Sequence, residues 1–233
     1  MTGETRPEES VFDHYEYDSA LAQGLSVSGE DKEYFARGRI SWLARCLEQL
    51  GSKPTSIMDY GCGTGSAAPI FVEHLRAATV IGVDASSRLL NIASSRYTSS
   101  KIVFRSFRDY KPRQEMDLVF CNGVFHHIVP DERADALQYI SRSLKSGGVL
   151  AFWENNPWNP GTRYVMSRIP FDRDAIPLTH LAARRLLMEG GLEVLRTDFM
   201  FIFPKALRWF RGVESVLSSL PLGAQYQVLC RKV

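Results

Sequence analysis

The sequence predicts an α/β protein built around a mainly parallel sheet. Between residues 56 and 153, short apolar segments rich in β-branched residues alternate with helical segments of about 10–15 residues, a pattern typical of βαβ units. A glycine-rich turn follows the first apolar segment, and ligands of open α/β sheets bind at that end of the strands. The 233 residues, 45% hydrophobic and 23% charged, are typical of one soluble globular domain and argue against a disordered or disulfide-dense chain.

The alternating region contains five predicted strands and three predicted helices. The strands are predicted at 56–60, 79–83, 101–104, 117–121 and 149–153. The helices between them are predicted at 67–77, 86–97 and 131–144. The last helix runs into Lys145-Ser146-Gly147-Gly148, and basic and glycine residues are favoured where helices end.

The flanking regions follow other patterns. Residues 1–10 are polar and predicted to be disordered, and apolar residues at helical spacing predict helices at 11–24 and 29–50. Four prolines predict that 155–177 is an excursion without a regular element. A helix at 178–189, a strand at 192–203, an amphipathic helix at 209–220 and a strand at 224–232 complete the chain.

We predict a single domain spanning 1–233. Within it, 1–50 forms a helical cap, and 155–178 forms a long excursion that, with the cap, covers the binding site as a lid. The net charge of +2 conceals an uneven distribution, because 1–50 carries −5, 51–159 carries +2 and 160–233 carries +5. If the acidic front meets the basic tail over the sheet, the two ends close the site.

Charge, cysteine spacing and hydropathy indicate the compartment and exclude several classes of partner. A net charge of +2 gives no reason to expect a nucleic-acid partner. Cys46, Cys62, Cys121 and Cys230 form no CxxC pair, so the sequence predicts no metal site and no redox pair. Four free thiols, no secretion leader and no apolar run of about 18 residues predict a cytoplasmic protein without a membrane span.

The segment Asp59-Tyr60-Gly61-Cys62-Gly63-Thr64-Gly65 carries the clearest ligand-binding pattern. Dinucleotide-binding turns have the spacing GxGxxG, but Ser66 stands where their third glycine would be. The carboxylate of Asp59 suits a cationic ligand better than a diphosphate, and S-adenosylmethionine has an ammonium, a sulfonium and no phosphate. Asp84, 25 positions after Asp59 and at the end of the second strand, is placed to accept hydrogen bonds from ribose hydroxyls.

These residues make the chain similar to the class I S-adenosylmethionine-dependent methyltransferases. The resemblance covers residues 56–154, and its motifs are 58–65, 80–86, 116–128 and 144–148. It implies a doubly wound sheet of seven strands in the order 3-2-1-4-5-7-6, mostly parallel, with strand 7 antiparallel and helices on both faces. The two late predicted strands fit strands 6 and 7.

The resemblance also implies which residues bind the cofactor, S-adenosylmethionine. The methionine end is assigned to Asp59, Gly61, Cys62, Gly63 and Gly65, with Asn122 and Gly123 just past strand four. Asp84 is assigned to the ribose and Ala85 to the adenine. Ser106 and Phe107 are candidates for adenine contact, although the third motif has no clear register. Arg39, 20 residues before Asp59, is a candidate partner of the cofactor carboxylate.

Candidate residues for the acceptor side follow strands four and five. His126 and His127 are the candidate general bases, because either imidazole could accept a proton from a hydroxyl, phenol or amine. The same pair also occurs in the family without a catalytic role. Methyl transfer does not require a base, so a purely structural role is the alternative. The acceptor-binding candidates are Tyr34, Glu154, Asn155, Asn156 and Trp158.

The sequence therefore predicts a methyltransferase that acts on a small or medium-sized metabolite, as a monomer or homodimer. Transfer to a quinone ring, or to tRNA or protein, is the alternative within the class. The alternatives outside it are a nicotinamide-dependent oxidoreductase and a non-catalytic cofactor-binding protein. The apolar residues of 209–220 allow contact with lipid or a second subunit, although packing on the sheet is simpler.

Overall fold

The computed structural model describes residues 14–97, 99–172 and 174–233, with side chains from residue 19 onward except residue 20. The prediction for residues 1–10 lies outside this range. The helices are α1 (His14–Leu25), α2 (Lys32–Gln49), α3 (Ala68–His74), α4 (Ser87–Arg96), α5 (Arg133–Ser143), α6 (Pro160–Arg168), α7 (His180–Glu189) and α8 (Glu214–Leu217). The strands are β1 (Ser56–Tyr60), β2 (Thr79–Asp84), β3 (Ile102–Ser106), β4 (Met116–Asn122), β5 (Leu144–Asn155), β6 (Leu192–Met200) and β7 (Gln225–Lys232).

The seven strands form one sheet in the order β3-β2-β1-β4-β5-β7-β6. The first five strands are parallel, and β7 is antiparallel to both β5 and β6. This topology confirms the predicted fold class. Because β1 lies between β2 and β4, the carboxyl ends of these three strands open on one shared crevice.

Helices cover both faces of the sheet. On one face, α2, α3 and α4 pack apolar residues such as Leu43, Phe71 and Ala93 against the sheet. On the other, α5 and α7 pack Ile140 and Leu187. In α2 the buried positions recur every three or four residues, and Asp31 caps the helix by accepting a hydrogen bond from the Tyr34 amide.

The excursion contains a helix that the sequence did not predict. Pro160 opens α6, and Asn159 caps it by accepting a hydrogen bond from the Thr162 amide. Proline is tolerated in the first helical turn, where the amide it lacks would have no partner within the helix. The prediction of an irregular 155–177 was therefore wrong for Pro160–Arg168.

The prediction of one amphipathic α-helix at 209–220 was also wrong. Residues Lys205–Val213 form a 3-10 segment with a kink at Leu207, and only Glu214–Leu217 is α-helical. Its apolar side chains stay in solvent rather than on the sheet, and Trp209 and Val216 are 77% and 80% exposed. None of the helices in the described part of the chain combines the length and the apolar character needed to cross a membrane.

Candidate active site

The turn after β1 needs glycine at two positions. Gly61 and Gly63 have φ angles of 72° and 53°, a left-handed region that other residues rarely adopt. A Cβ atom on Gly61 would overlap the side chain of Val124, whereas one on Gly63 would meet no atom within 4 Å. The turn therefore packs closely on the loop after β4 and leaves open space at Gly63.

That open space belongs to a polar cavity of about 120 Å³ at the carboxyl end of β1. Its charged and amide groups come from separate elements: Asp59 from β1, Lys32 and Arg39 from α2, and Asn122 from β4. Cys62, Gly61 and Gly63 also line it. The structure thus brings together most of the residues assigned to the methionine end, but Gly65 packs beneath the turn against Phe104 and Ala93.

Asp59 and Arg39 give the cavity opposite charges. Asp59 is buried, and burial together with the nearby charge of Asp84 raises its pKa to about 7, while the charge of Arg39 acts in the opposite direction. The Arg39 Nη1 group donates a hydrogen bond of 2.8 Å to Oε1 of Gln225, at the start of β7. One carboxylate and one guanidinium in the same cavity complement an ammonium and a carboxylate on a ligand.

Asp84 is held at the edge of the site by backbone amides. Its Oδ2 accepts a hydrogen bond from the Gly63 amide at 2.8 Å, and its Oδ1 accepts one from the Ser86 amide at 2.9 Å. Burial raises its pKa, whereas these two amide bonds lower it. Each oxygen keeps a second lone pair, so Asp84 is oriented and still able to accept a further hydrogen bond.

The residues assigned to the adenine lie beside Asp84. Ser106 pairs with Asp84 in the register of β2 and β3, and Ala85 is exposed. Phe107 packs on Tyr60, with ring centroids 4.8 Å apart. Their positions allow a contact at this edge, although they do not line the polar cavity.

A second cavity, of about 380 Å³, adjoins the first. Arg39 and Asn122 line both. Most of the other lining is apolar, and it comes from α1, α6 and the segment after β6: Leu21, Leu25, Val165, Met166, Ile169, Phe201 and Phe203. Of the residues assigned to the acceptor, Tyr34 and Asn155 line this cavity.

The loop after β4 places two imidazoles in its wall. His126 Nδ1 lies 2.6 Å from Glu154 Oε2, and His126 Nε2 lies 3.6 Å from Asp172 Oδ1. Burial alone would lower the pKa of His126, but these two carboxylates outweigh burial and raise it to about 10. His126 is therefore protonated near neutral pH and unsuited to act as a base.

His127 has the opposite character. Burial and the charge of His126 lower its pKa to about 4, so the ring is neutral near neutral pH. Its side chain is 26% exposed, and its Nε2 atom lies 3.5 Å from Asp172 Oδ1. Of the two histidines that the sequence left equivalent, His127 is therefore the one that is neutral near neutral pH, and it lines the larger cavity.

Three other residues assigned to acceptor binding line neither cavity. Glu154 is buried and bound to His126 and to the Phe125 amide, so it supports the wall without lining the cavity. The Asn156 side chain, also buried, donates to the carbonyls of Pro221 and Gly223. Trp158 is half exposed and packs edge-on against His180. In the sequence, polar residues after a strand end look like ligand contacts. In a folded protein, buried polar side chains usually form hydrogen bonds with the backbone instead.

The sequence pattern did not indicate several other residues that line the larger cavity. Asp172 comes from a 3-10 turn within the excursion, and Gln225 from the start of β7. Arg211, from the basic tail, bonds Glu30 of the acidic front at 3.0 Å and lies over the Tyr34 ring. This ion pair places the two ends together at the cavity, as the charge distribution had suggested.

Comparisons with known proteins agree with this geometry. Residues 57–148 match the family described as methyltransferase domain. The chain is 30% identical over 119 residues to a trans-aconitate 2-methyltransferase of Rhodopseudomonas palustris, covering 51% of this chain and 46% of that one. It is 30% identical over 144 residues to the enzyme of that name from Escherichia coli O1:K1, covering 59% and 56%. The chain thus spans about half the length of the curated relatives it matches.

Two solved structures share the fold over nearly the whole chain. One is the magnesium protoporphyrin IX methyltransferase of Synechocystis with bound SAH, with a TM-score of 0.65, 14% identity and coverage of 97% of this chain and 98% of that one. The other is a Haloferax volcanii methyltransferase in complex with the Trm112 activator, with a TM-score of 0.64, 18% identity and coverage of 96% of each chain.

The sheet order and the glycine turn define a class I, Rossmann-like methyltransferase fold. Residues 57–148 match the methyltransferase-domain family, and the chain as a whole has the fold of the class I S-adenosylmethionine-dependent methyltransferases.

Proposed function

We propose that the chain transfers a methyl group from S-adenosylmethionine to a small or medium-sized metabolite. The observation that carries the proposal is the pair of adjoining cavities, one polar and one mainly apolar, with Arg39 and Asn122 in both walls. The polar cavity suits the amino-acid end of the cofactor. The apolar cavity then lies where an acceptor would meet the methyl group.

The residues of the polar cavity fit this cofactor. Asp59 offers a carboxylate to the ammonium group, and Arg39 offers a guanidinium to the carboxylate. The Oδ1 atom of Asn122 is buried without a hydrogen-bond partner among the described residues, so a bound donor would satisfy it. A dinucleotide fits less well, because its diphosphate would meet Asp59.

When bound, S-adenosylmethionine supplies the methyl group on a sulfonium, which leaves as a neutral thioether. An acceptor lone pair forms the new bond to carbon as the carbon–sulfur bond breaks, so the protein mainly aligns and desolvates the reactants. We assign to His127 the role of accepting the acceptor's proton where it has one. His126, held between Glu154 and Asp172, fixes the loop that carries His127.

The lining favours an acceptor with a substantial apolar body and one polar end. Apolar side chains of α1 and α6 line the cavity, and the two helices pack closely, because a Cβ atom on Gly24 would overlap the side chain of Ile169. We propose that these segments form the lid over the acceptor. The relatives named for trans-aconitate suggest a carboxylate as the polar end, but Arg211, one of the cationic groups at the wall, is already bonded to Glu30.

Calorimetric titration of the full chain with S-adenosylmethionine, and separately with NAD, tests the class of protein. We expect heat only with the former, and heat with NAD alone would overturn the proposal. Radiolabelled methyl transfer to three acceptor sets then tests the substrate class: polycarboxylates including trans-aconitate, phenols and quinols with apolar substituents, and amines. Labelling confined to the polycarboxylates would contradict an acceptor with an apolar body.

A further inference from the structure

We propose that His126, His127 and Asp172 form a binding site for one divalent transition-metal ion in the wall of the larger cavity. Each offers one ligand atom, and the three atoms lie within 4.8 Å of one another. Asp172 Oδ1 lies 3.6 Å from His126 Nε2 and 3.5 Å from His127 Nε2. All three residues line the cavity, so further coordination positions would face the space for the acceptor.

These separations are close to those that a metal imposes. Nitrogen and oxygen ligands bind zinc at about 2.0–2.2 Å, which places neighbouring ligand atoms of a tetrahedral site about 3.4 Å apart. The two distances to Asp172 exceed this value by only a tenth or two of an ångström, and the two imidazole ligand atoms lie within 4.8 Å of each other. Small side-chain rotations, together with release of the Nε2 proton of His126, therefore close the site around an ion.

Glu154 supplies the outer support that metal-binding histidines usually have. It accepts a hydrogen bond from Nδ1 of His126, which leaves Nε2 facing Asp172 and the cavity. Its other oxygen accepts the Phe125 amide at 2.7 Å, and Glu154 is 1% exposed. The carboxylate–imidazole pair is thus fixed by the core rather than by mobile surface chains.

The two halves of the site are held together independently of any ion. The histidines follow β4, while Asp172 ends the 3-10 turn Pro170–Asp172. The Ile176 amide donates to the His126 carbonyl at 2.8 Å, and Arg133 donates to the Ile176 carbonyl at 2.7 Å. These bonds keep the excursion against the histidine loop, so the ligand set is assembled in advance.

The ligand types select the kind of ion. Two imidazoles and one carboxylate suit Zn²⁺, Fe²⁺, Co²⁺ or Ni²⁺, whereas Ca²⁺ and Mg²⁺ prefer oxygen ligands throughout. An ion there would bind an acceptor oxygen and lower its pKa, and this chemical use, unlike the site itself, rests on the proposed function. His127 would then act as a ligand in the loaded protein and as a proton acceptor only without the ion.

Titration of the chelator-treated full chain with Co²⁺ tests the metal site. Because no methyl donor is present, a negative result would count against the metal site and not against the proposed function. We expect one Co²⁺ per chain with visible d–d absorption bands, which Zn²⁺ abolishes by displacement. His127→Ala and Asp172→Asn should each weaken Co²⁺ binding more than about tenfold, and Glu154→Gln about tenfold.

His74→Ala is the matched control, because His74 lies at the end of α3 on the protein surface. Its Co²⁺ affinity and spectrum should equal those of the unsubstituted chain. Thermal unfolding shows whether each variant is folded. If a histidine variant does not fold, the isosteric Asp172→Asn variant tests the proposal in its place. The proposal is overturned if the bands are absent, or if Asp172→Asn and His74→Ala bind Co²⁺ equally.

Discussion

The Nδ1 atom of His126 lies 2.6 Å from the Oε2 atom of Glu154, and both side chains are buried. The pair joins the loop after β4 to β5, on the side of the larger cavity. A buried charge left without its partner is strongly destabilising, so this pair makes the geometry of the wall depend on both residues.

Glu154→Gln should therefore destabilise the fold. We expect the free energy of unfolding to fall by about 3–5 kcal/mol, because His126 loses the carboxylate that stabilises its charge. Urea unfolding at neutral pH measures the change. Glu73→Gln is the control, since Glu73 is an exposed partner of Arg37 and its loss should change stability by about 1 kcal/mol or less. Equal effects of the two substitutions would contradict the role given to Glu154.

Arg39→Ala should weaken the binding of S-adenosylmethionine by about 10–100-fold, the usual range for losing a charge-assisted hydrogen bond. Arg39→Lys should recover only part of the affinity, because lysine lacks the planar fork of arginine. Calorimetric titration gives the dissociation constants. Arg37→Ala, on the same helix but exposed and bonded to Glu33, should bind the cofactor normally. A normal affinity of Arg39→Ala would exclude Arg39 from the cofactor site.

The affinity for S-adenosylmethionine should rise with pH around neutrality. The pKa of Asp59 is raised from its ordinary 3.8 to about 7, so the free protein is partly protonated there below pH 7 and ionised above it. Only the ionised carboxylate attracts the ammonium group, so binding at pH 8 should be several-fold tighter than at pH 6. Calorimetry across this range checks the trend, which should be absent in Asp59→Asn.

The same raised pKa has a consequence for stability. Folding favours the protonated form of Asp59, so its contribution is fully present below pH 4 and is lost as the pH rises through about 7. Relative to the unsubstituted chain, Asp59→Asn should gain stability over this interval, by about 2–4 kcal/mol at pH 8. Urea unfolding of both chains at pH 5 and pH 8 gives the difference. A difference that does not change with pH would argue against a buried, titrating Asp59.

Deleting residues 1–28 should reduce turnover more than stability. Leu21, Leu25 and Val27 line the larger cavity, yet Gly24 is the only buried position among the α1 residues whose side chains are described. We expect the turnover number to fall at least about tenfold, because the acceptor site loses its cover. Turnover and the melting temperature are measured on the same preparation. If the fold collapses together with activity, the segment belongs to the core rather than to a lid.

The sequence predicted the sheet well because the signals for it are local. Strands β1 to β4 are runs of apolar residues between turns. The first and last residues of these four strands differ from the predicted ones by two positions at most. The glycine turn and Asp84 were likewise identified by spacing along the chain. Where local signals were ambiguous, prediction failed: proline at the start of α6 was read as a helix breaker, although there it begins the helix.

The residues of the larger cavity could not be predicted as one group, because they come from distant segments. Asp172 and the two histidines are separated by more than 40 positions, and Arg211 reaches Glu30 from the other end of the chain. Glu154 and Asn156 are polar residues beside a strand end, where sequence cannot distinguish a ligand contact from a buried structural bond.

By itself, the sequence determined the fold class, the glycine turn after β1 and the strand ends beside which the cavities lie, because each depends on periodicity and spacing within a few residues. Only the tertiary structure decided which carboxylates hold His126, that His127 is neutral near neutral pH, and that α1 and α6 line one cavity. The burial and the charge of a side chain depend on the residues that folding brings around it. The same side chain in the same motif can therefore act as a base, hold a loop in place or bind a ligand, according to its neighbours.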